Sequence, residues 1–347
     1  MERMKAAELL IEKIEKDYKD DIACVVIMGS TIYNDTHDKS DLDLYFIPKT
    51  ERGYQLQDVF IIDGVGYDFW AVSWEFIEKL SNHELRITSI LTEGKVLYYG
   101  DEEDQRKFQK LKERALNEND RDTFFNRVEI QLKEAQNLLF ILNEENSLHK
   151  VRQYAIEMIG AVTYGIALLN RTTIKRGRGK LKNEILQMAI VPKKFERDYD
   201  TVFISNEVSS IKRASKSLVK QLINSLQEER KKTGSSIDFN DAFGGYYEEL
   251  INFYNKLERA CQTNDPYAAL IVATEITKEI ENGFKGTDVS PDELPDLIEP
   301  YNPQDLKGLA SAGKKHQKAL LEILDRKKVP VKSYENFEEL RGALERK

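Results

Sequence analysis

At 347 residues the chain is long enough for two or three domains, and 41% hydrophobic with 32% charged residues describes an ordinary globular protein, neither disordered nor fibrous. The net charge of −8 lies within residues 1–100, which carry 11 Lys/Arg against 19 Asp/Glu; an acidic N-terminal part beside a neutral remainder argues against a nucleic-acid binder and suits a site that gathers cations. No apolar run reaches the roughly 18–20 residues of a membrane span, and Lys and Glu interrupt the first twenty residues, so neither a signal peptide nor a membrane anchor is expected.

Residues 4–19 place Ala6, Leu9, Leu10, Ile14 and Tyr18 at helical spacing between charges, which predicts an amphipathic helix. Ile22 to Met28 is apolar and β-branched and ends at Gly29-Ser30, a buried strand running into a turn. After a polar spacer, Asp41 to Ile47 alternates until Pro48 and reads as a second strand. Val59–Ile62 and Tyr67–Val72, joined through Asp63-Gly64-Val65-Gly66, form a predicted hairpin. From Ser73 the period turns helical, with one more short strand expected at Val96–Tyr99 before Gly100 and the charged run Asp101–Asp104. Beyond about residue 105 only Thr201–Ile204 gives a weak strand signal. Helices are expected over 105–116, 121–143, 148–170, 179–190, 205–231, 239–263, 266–283, 304–325 and 335–346. Breaks fall at 232–236 and at Gly286–Pro303. The fold class expected is α+β: an α/β catalytic domain with a mixed sheet over 1–103, a helical bundle completing the site over 104–235, and a C-terminal helical extension over 236–347.

Cys24 and Cys261 are too few and too far apart for a disulfide framework or a structural zinc site, which points to a reducing cytoplasm. His37, His83, His149 and His316 show no ligand spacing, so a zinc hydrolase is not expected. The chemistry-bearing stretch is Gly29-Ser30, ten residues, then Asp41-Leu42-Asp43. Residues two apart on a strand face the same way, about 7 Å apart, so Asp41 and Asp43 present two carboxylates on one side. Asp68, on the neighbouring hairpin, can join that face as a third. Three converging acids repel unless a cation neutralises them, and Mg²⁺ takes a few carboxylates together with phosphate oxygens and water. Gly29 lets a phosphate approach the backbone and the Ser30 hydroxyl can bind its oxygens. Separately, a Gly-Ser pair is an ordinary turn and an Asp-x-Asp an ordinary strand end; together they predict a metal–nucleotide site.

With these residues in place, the sequence resembles the DNA polymerase beta-like nucleotidyltransferase superfamily, whose motif is Gly-Ser, a spacer, Asp-x-Asp and a later acid. It looks most like the kanamycin nucleotidyltransferase branch, through Tyr67 to Glu75 around the third acid and, more loosely, through Ile159–Gly165 and Lys180–Glu184. The resemblance spans roughly the first 200 residues, is specific over about 29–75, and leaves 240–347 uncovered. It implies transfer of AMP from ATP to a hydroxyl of a small molecule, typically an aminoglycoside antibiotic, with Mg²⁺ and release of pyrophosphate. By motif position Asp41 and Asp43 would ligate the metal, with Asp68 completing the acidic set and aligning the acceptor hydroxyl, and Gly29 and Ser30 would contact the triphosphate. A homodimer is a further expectation from that branch. The sequence departs from the pattern where Thr31-Ile32-Tyr33-Asn34-Asp35 replaces a basic residue and a second glycine, so phosphate contacts must come from elsewhere.

The family also supplies a carboxylate base from the first long helix of its second domain. Here Glu129 and Lys133 lie on one flank of that helix and Glu134 on the other; Glu129 with Lys133 fits a base and a phosphate-binding cation, and fits equally a solvated i,i+4 ion pair. The basic run Arg171, Lys175, Arg176, Arg178, Lys180 and Lys182 reads either as a loop closing over a triphosphate or as a solvated connection. His37, in the spacer before Asp41, reads more readily as a loop residue than as part of the site. Two function classes stay open: a nucleotidyltransferase acting on a small cationic or hydroxylated acceptor (aminoglycoside, lincosamide) or on a protein side chain, and an antitoxin-type or regulatory binding module without turnover.

Overall fold

The computed structural model describes residues 4–33, 36, 40–232 and 237–346. His37 and residues 233–236 of the expected break lie outside that set. The chain divides into two compact units, Met1–Glu229 and Arg230–Lys347. Among the described residues no helix is long and apolar enough to cross a membrane.

The first unit opens with helix α1 (Met4–Asp17), strand β1 (Ile22–Ile27), a 3-10 turn (Gly29–Tyr33), β2 (Asp43–Pro48), β3 (Asp58–Ile62), β4 (Val65–Ala71), α2 (Trp74–Ser81), α3 (Ser89–Thr92), β5 (Lys95–Tyr99) and α4 (Glu102–Asn117). The sheet order is β3-β4-β2-β1-β5; β2 and β4 run parallel and every other neighbour is antiparallel, so the sheet is mixed and the fold is α+β. The hairpin turn is tighter than the sequence reading: Asp63 and Gly64 both have positive φ, the two-residue turn whose twist matches its strands, and the return strand starts at Val65. Ser73 caps α2 by accepting a hydrogen bond from the Phe76 N–H at 3.1 Å.

Alternation along β1 and β2 divides the apolar residues between two layers. Val25, Ile27, Leu44 and Phe46 pack with Ala7, Leu10 and Ile14 of α1. Cys24, Val26, Tyr45 and Ile47 pack with Ile77 and Leu80 of α2 and Phe108 and Leu111 of α4. Burying the central strands on both faces explains why they read as apolar runs.

The rest of this unit is helical: α5 (Arg121–Glu144), α6 (Leu148–Leu169), a 3-10 turn (Arg178–Lys180), α7 (Leu181–Leu186), α8 (Phe195–Ile204) and α9 (Val208–Lys232), whose last residues pass into the second unit. The core forms around α6, buried on all sides from Met158 to Leu169, against Val128, Leu132 and Leu142 of α5 and Leu218 and Leu222 of α9. Thr201–Ile204 is not a strand: it is the last turn of α8, whose buried stripe Phe195, Tyr199 and Val202 has a helical period that the short apolar run conceals. The expected helix 179–190 shrinks to α7 and its preceding 3-10 turn.

The second unit holds α10 (Phe239–Phe243), α11 (Tyr247–Gln262), α12 (Pro266–Phe284), a 3-10 turn at Pro291–Glu293, α13 (Lys307–Arg326) and α14 (Phe337–Glu345). Gly244 and Gly245, the latter at φ 79°, break the single helix expected over 239–263. In this core the His316 side chain of α13 is buried, with Nδ1 2.7 Å from the Tyr254 hydroxyl of α11. Burial holds its pKa down at about 4, with the field of Asp296 acting in the opposite direction. Unfolded, the same imidazole titrates near about 6.5. Between those values the unfolded chain binds a proton that the folded chain refuses, so stability contributed by neutral His316 is full above about 6.5 and declines as pH falls towards 4. Denaturant titrations of the full chain between pH 7 and 4 are expected to show a shallower loss for His316→Gln than for wild type. His83, whose pKa burial also lowers, contributes equally to both proteins; identical slopes would contradict the assignment.

Candidate functional site

The end of β1 and the start of β2 are locked together by their ladder and by the Met28 N–H donating to the Asp43 carbonyl at 2.9 Å. That lock sets Gly29, at φ 68°, against the Asp43 side chain so closely that a Cβ at position 29 would stand 1.9 Å from Asp43 Oδ2. Only a residue with no Cβ and free access to positive φ fits. Asp41, two residues earlier, precedes the strand, because β2 begins at Asp43.

A cavity of about 1220 Å³ opens at this junction. Gly29, Ser30, Asp41 and Asp43 line it, so four of the sequence-derived candidates come together. Gly64, Val65 and Gly66 of the hairpin tip line it as well. Asp68 is placed beside Asp43 by the parallel register of β2 and β4, on the same sheet face, but is exposed and does not line the cavity. Glu129 and Lys133 stand on α5 outside the lining, with Glu129 half-buried and Lys133 exposed; Glu134 is exposed too. Among the described residues no group of three or more His, Cys, Asp or Glu side chains is gathered for a metal ion. Asp41 and Asp43 make a two-carboxylate set, which fits Mg²⁺ in the way that ion is bound alongside substrate phosphates and water.

The cations come from other elements. Lys175, Arg176 and Lys180, from the connection between α6 and α7, all line the cavity. Three ties hold that loop. The Glu184 carboxylate of α7 accepts the backbone N–H groups of Lys175, Arg176 (2.9 Å) and Gly177 (3.4 Å). The Lys175 ammonium lies 2.8 Å from Glu93, and the Arg176 guanidinium sits over the Tyr33 ring at 4.6 Å. Burial, then Glu93 and Glu184, push the Tyr33 hydroxyl up to about 12, so Tyr33 offers Arg176 a neutral ring. Lys182 of the same basic run is turned to Asp200 and Glu196 instead. Position 33, in the stretch that lacks the resembled family's basic residue, thus anchors an arginine from elsewhere.

Arg86, between α2 and α3, also lines the cavity and was not among the sequence candidates. Its signal was faint: a lone Arg between Leu85 and Ile87, in a stretch where Lys79 and Lys95 are the nearest cations in sequence. Glu184 was legible only as part of a helix, because its work is done on the backbone of a loop.

No family model matches the chain, and no curated protein matches it. Among solved structures it is similar to a nucleotidyltransferase-like protein from Exiguobacterium sibiricum, at 11% identity over 95% of this chain and 94% of that one, with a TM-score of 0.36. A likeness at that level transfers no residue's role.

Gly29→Ala tests the junction. Strain at positive φ is expected to cost about 1–2 kcal/mol of stability, and the clash to displace the Asp43 carboxylate. Circular dichroism and thermal melts should report a folded protein that is less stable by about that amount. An unchanged melting temperature would contradict the close approach of position 29 to Asp43.

Proposed function

We propose that the chain is a metal-dependent nucleotidyltransferase that moves the AMP of ATP to a hydroxyl of a small molecule. The observation that supports this is that one large cavity holds two carboxylates at its sheet end, Asp41 and Asp43, together with Arg86, Lys175, Arg176 and Lys180. A ligand complementary to both sets carries a polyanion and a divalent cation at once, which describes a metal–nucleoside triphosphate. At about 1220 Å³ the cavity exceeds the roughly 300–1,000 Å³ of a typical small-ligand site and has room for a second substrate.

Phosphoryl-group chemistry needs charge neutralisation and in-line placement more than covalent help. Asp41 and Asp43 would hold Mg²⁺, which when bound supplies charge neutralisation on the phosphates. The cations of the 175–180 loop would cradle the triphosphate tail, with Ser30 donating its hydroxyl to a phosphate oxygen. The acceptor oxygen forms a bond to the α-phosphorus, the bond from that phosphorus to the bridging oxygen breaks, and pyrophosphate leaves with the electron pair. Asp68, outside the cavity lining but paired in register with Asp43, would accept the hydrogen bond of an acceptor hydroxyl seated over that strand pair and take its proton. The exposed pair Glu93–Lys175 is worth little by itself, so Lys175 can exchange Glu93 for phosphate at small cost. The acceptor is proposed to be a polycationic, hydroxyl-rich compound of aminoglycoside type. The exposed Asp41 and Asp68 and the acid excess of residues 1–100 support that choice.

The test is pyrophosphate release from Mg²⁺-ATP, with and without aminoglycosides and lincosamides. Acceptor-dependent release is expected, with a product heavier by one AMP. Asp43→Asn should lower the rate by at least about a thousandfold, and Asp68→Asn should lower kcat while leaving the KM for ATP near wild type. ATP binding without release across the panel would replace the antibiotic acceptor with a binding role or a protein acceptor.

A further inference from the structure

We infer that Arg86 is the principal phosphate-binding residue of the cleft, pre-positioned by Tyr164 and Gly160 of α6 to supply the charge that the turn after Gly29-Ser30 lacks. This rests on the nucleotide reading of the cavity and adds to it a residue from a different part of the chain.

Thr31, Ile32 and Tyr33 put no cation into the turn that follows Ser30. Arg86 lines the same cavity. The backbone just before it is held by one phenol: the Tyr164 hydroxyl lies 2.8 Å from both the His83 and Leu85 carbonyl oxygens. Thr88, two residues after Arg86, ties back to the same stretch, its hydroxyl 2.8 Å from the Leu85 carbonyl and 3.1 Å from that of Leu80. Tyr164 is buried in the α6 core, so the Arg86 segment is tied to the central buried helix of the unit. The guanidinium itself lies over Gly160, where an added Cβ would be 2.9 Å from Nη1. The glycine is thus the surface on which the planar group rests.

Among the described residues no hydrogen bond or ion pair engages the Arg86 guanidinium. The acid whose field reaches it is Glu184, and that carboxylate is already occupied by backbone N–H groups of the basic loop. Loss of hydration against the cavity wall lowers its pKa, yet an arginine stays charged. A partly exposed cation on an anchored segment, with no hydrogen-bond or ion-pair partner among the described residues and in a cavity that also holds Asp41 and Asp43, is placed to meet an anion from outside. A guanidinium binds phosphate oxygens through two parallel N–H donors, a geometry that a lysine cannot reproduce. Lys175 and Arg176 differ in this respect, because each is already engaged by Glu93 or Tyr33.

Calorimetric titration of the full chain with ATP, inorganic tripolyphosphate and adenosine, each with Mg²⁺, tests the assignment. Arg86→Met is expected to weaken ATP and tripolyphosphate by at least about tenfold and leave any adenosine affinity unchanged, with Arg86→Lys recovering only part of the loss. Gly160→Ala changes no charge and favours the helix, so it should keep or raise the melting temperature while weakening both phosphates several-fold by displacing the guanidinium. Wild-type binding of ATP with equal affinity in Arg86→Met would overturn the role of Arg86 and leave the nucleotide reading standing. A wild-type chain that binds neither ATP nor tripolyphosphate would overturn both.

Discussion

The close approach of Gly29 to the Asp43 carboxylate is the constraint from which the site follows. Strand pairing fixes it: with Met28 bonded to the Asp43 carbonyl, the chain leaving β1 has to turn within van der Waals reach of the first side chain of β2. The space a Cβ would need is taken by the Asp43 carboxylate itself, so glycine at position 29 is what lets that carboxylate stand against the turn. The parallel pairing of β2 with β4 then brings Asp68 alongside without any further device.

Acids and cations in a single cavity would collapse on one another if both were mobile. Here they are carried by separate elements. Asp43 opens β2 and Asp41 lies just before it, while Lys175, Arg176 and Lys180 belong to a connection in which Glu184 accepts the backbone N–H groups of residues 175–177. Arg86 hangs from the α6 core through Tyr164. The ties at the surface, Lys175 to Glu93 and Arg176 to Tyr33, are of the weak and exchangeable kind, so they order the loop without closing it to a ligand. The result is a preorganised dipolar cleft, the arrangement in which electrostatic stabilisation costs least reorganisation when charge moves.

Much of this was legible in the sequence, and the exceptions have physical reasons. All five strands were readable because the central ones are buried on both faces and the hairpin carries Asp63-Gly64, where positive φ is obligatory. That Gly29, Ser30, Asp41 and Asp43 line one cavity was readable because they sit at the two ends of the single connection between β1 and β2. Arg86, Tyr164 and Gly160 were not, because they meet across more than 70 residues of chain and each alone looks like an ordinary surface arginine, core tyrosine or helix glycine. The basic run was visible but its division was not: Lys182 pairs with α8, a helix whose final turn imitates a strand in sequence. Glu129 and Lys133, placed together by helix spacing, stand on α5 outside the cavity lining.

The proposed function requires a cleft that takes a nucleotide and a divalent cation as one ligand. Titration of ATP into the wild-type chain, once with Mg²⁺ and once with a chelator present, measures that directly. ATP should bind at least about tenfold more tightly with Mg²⁺, and the difference should vanish in Asp43→Asn, because the carboxylates repel a triphosphate that arrives without its cation. Equal affinity with and without Mg²⁺, or no ATP binding at all, would contradict it.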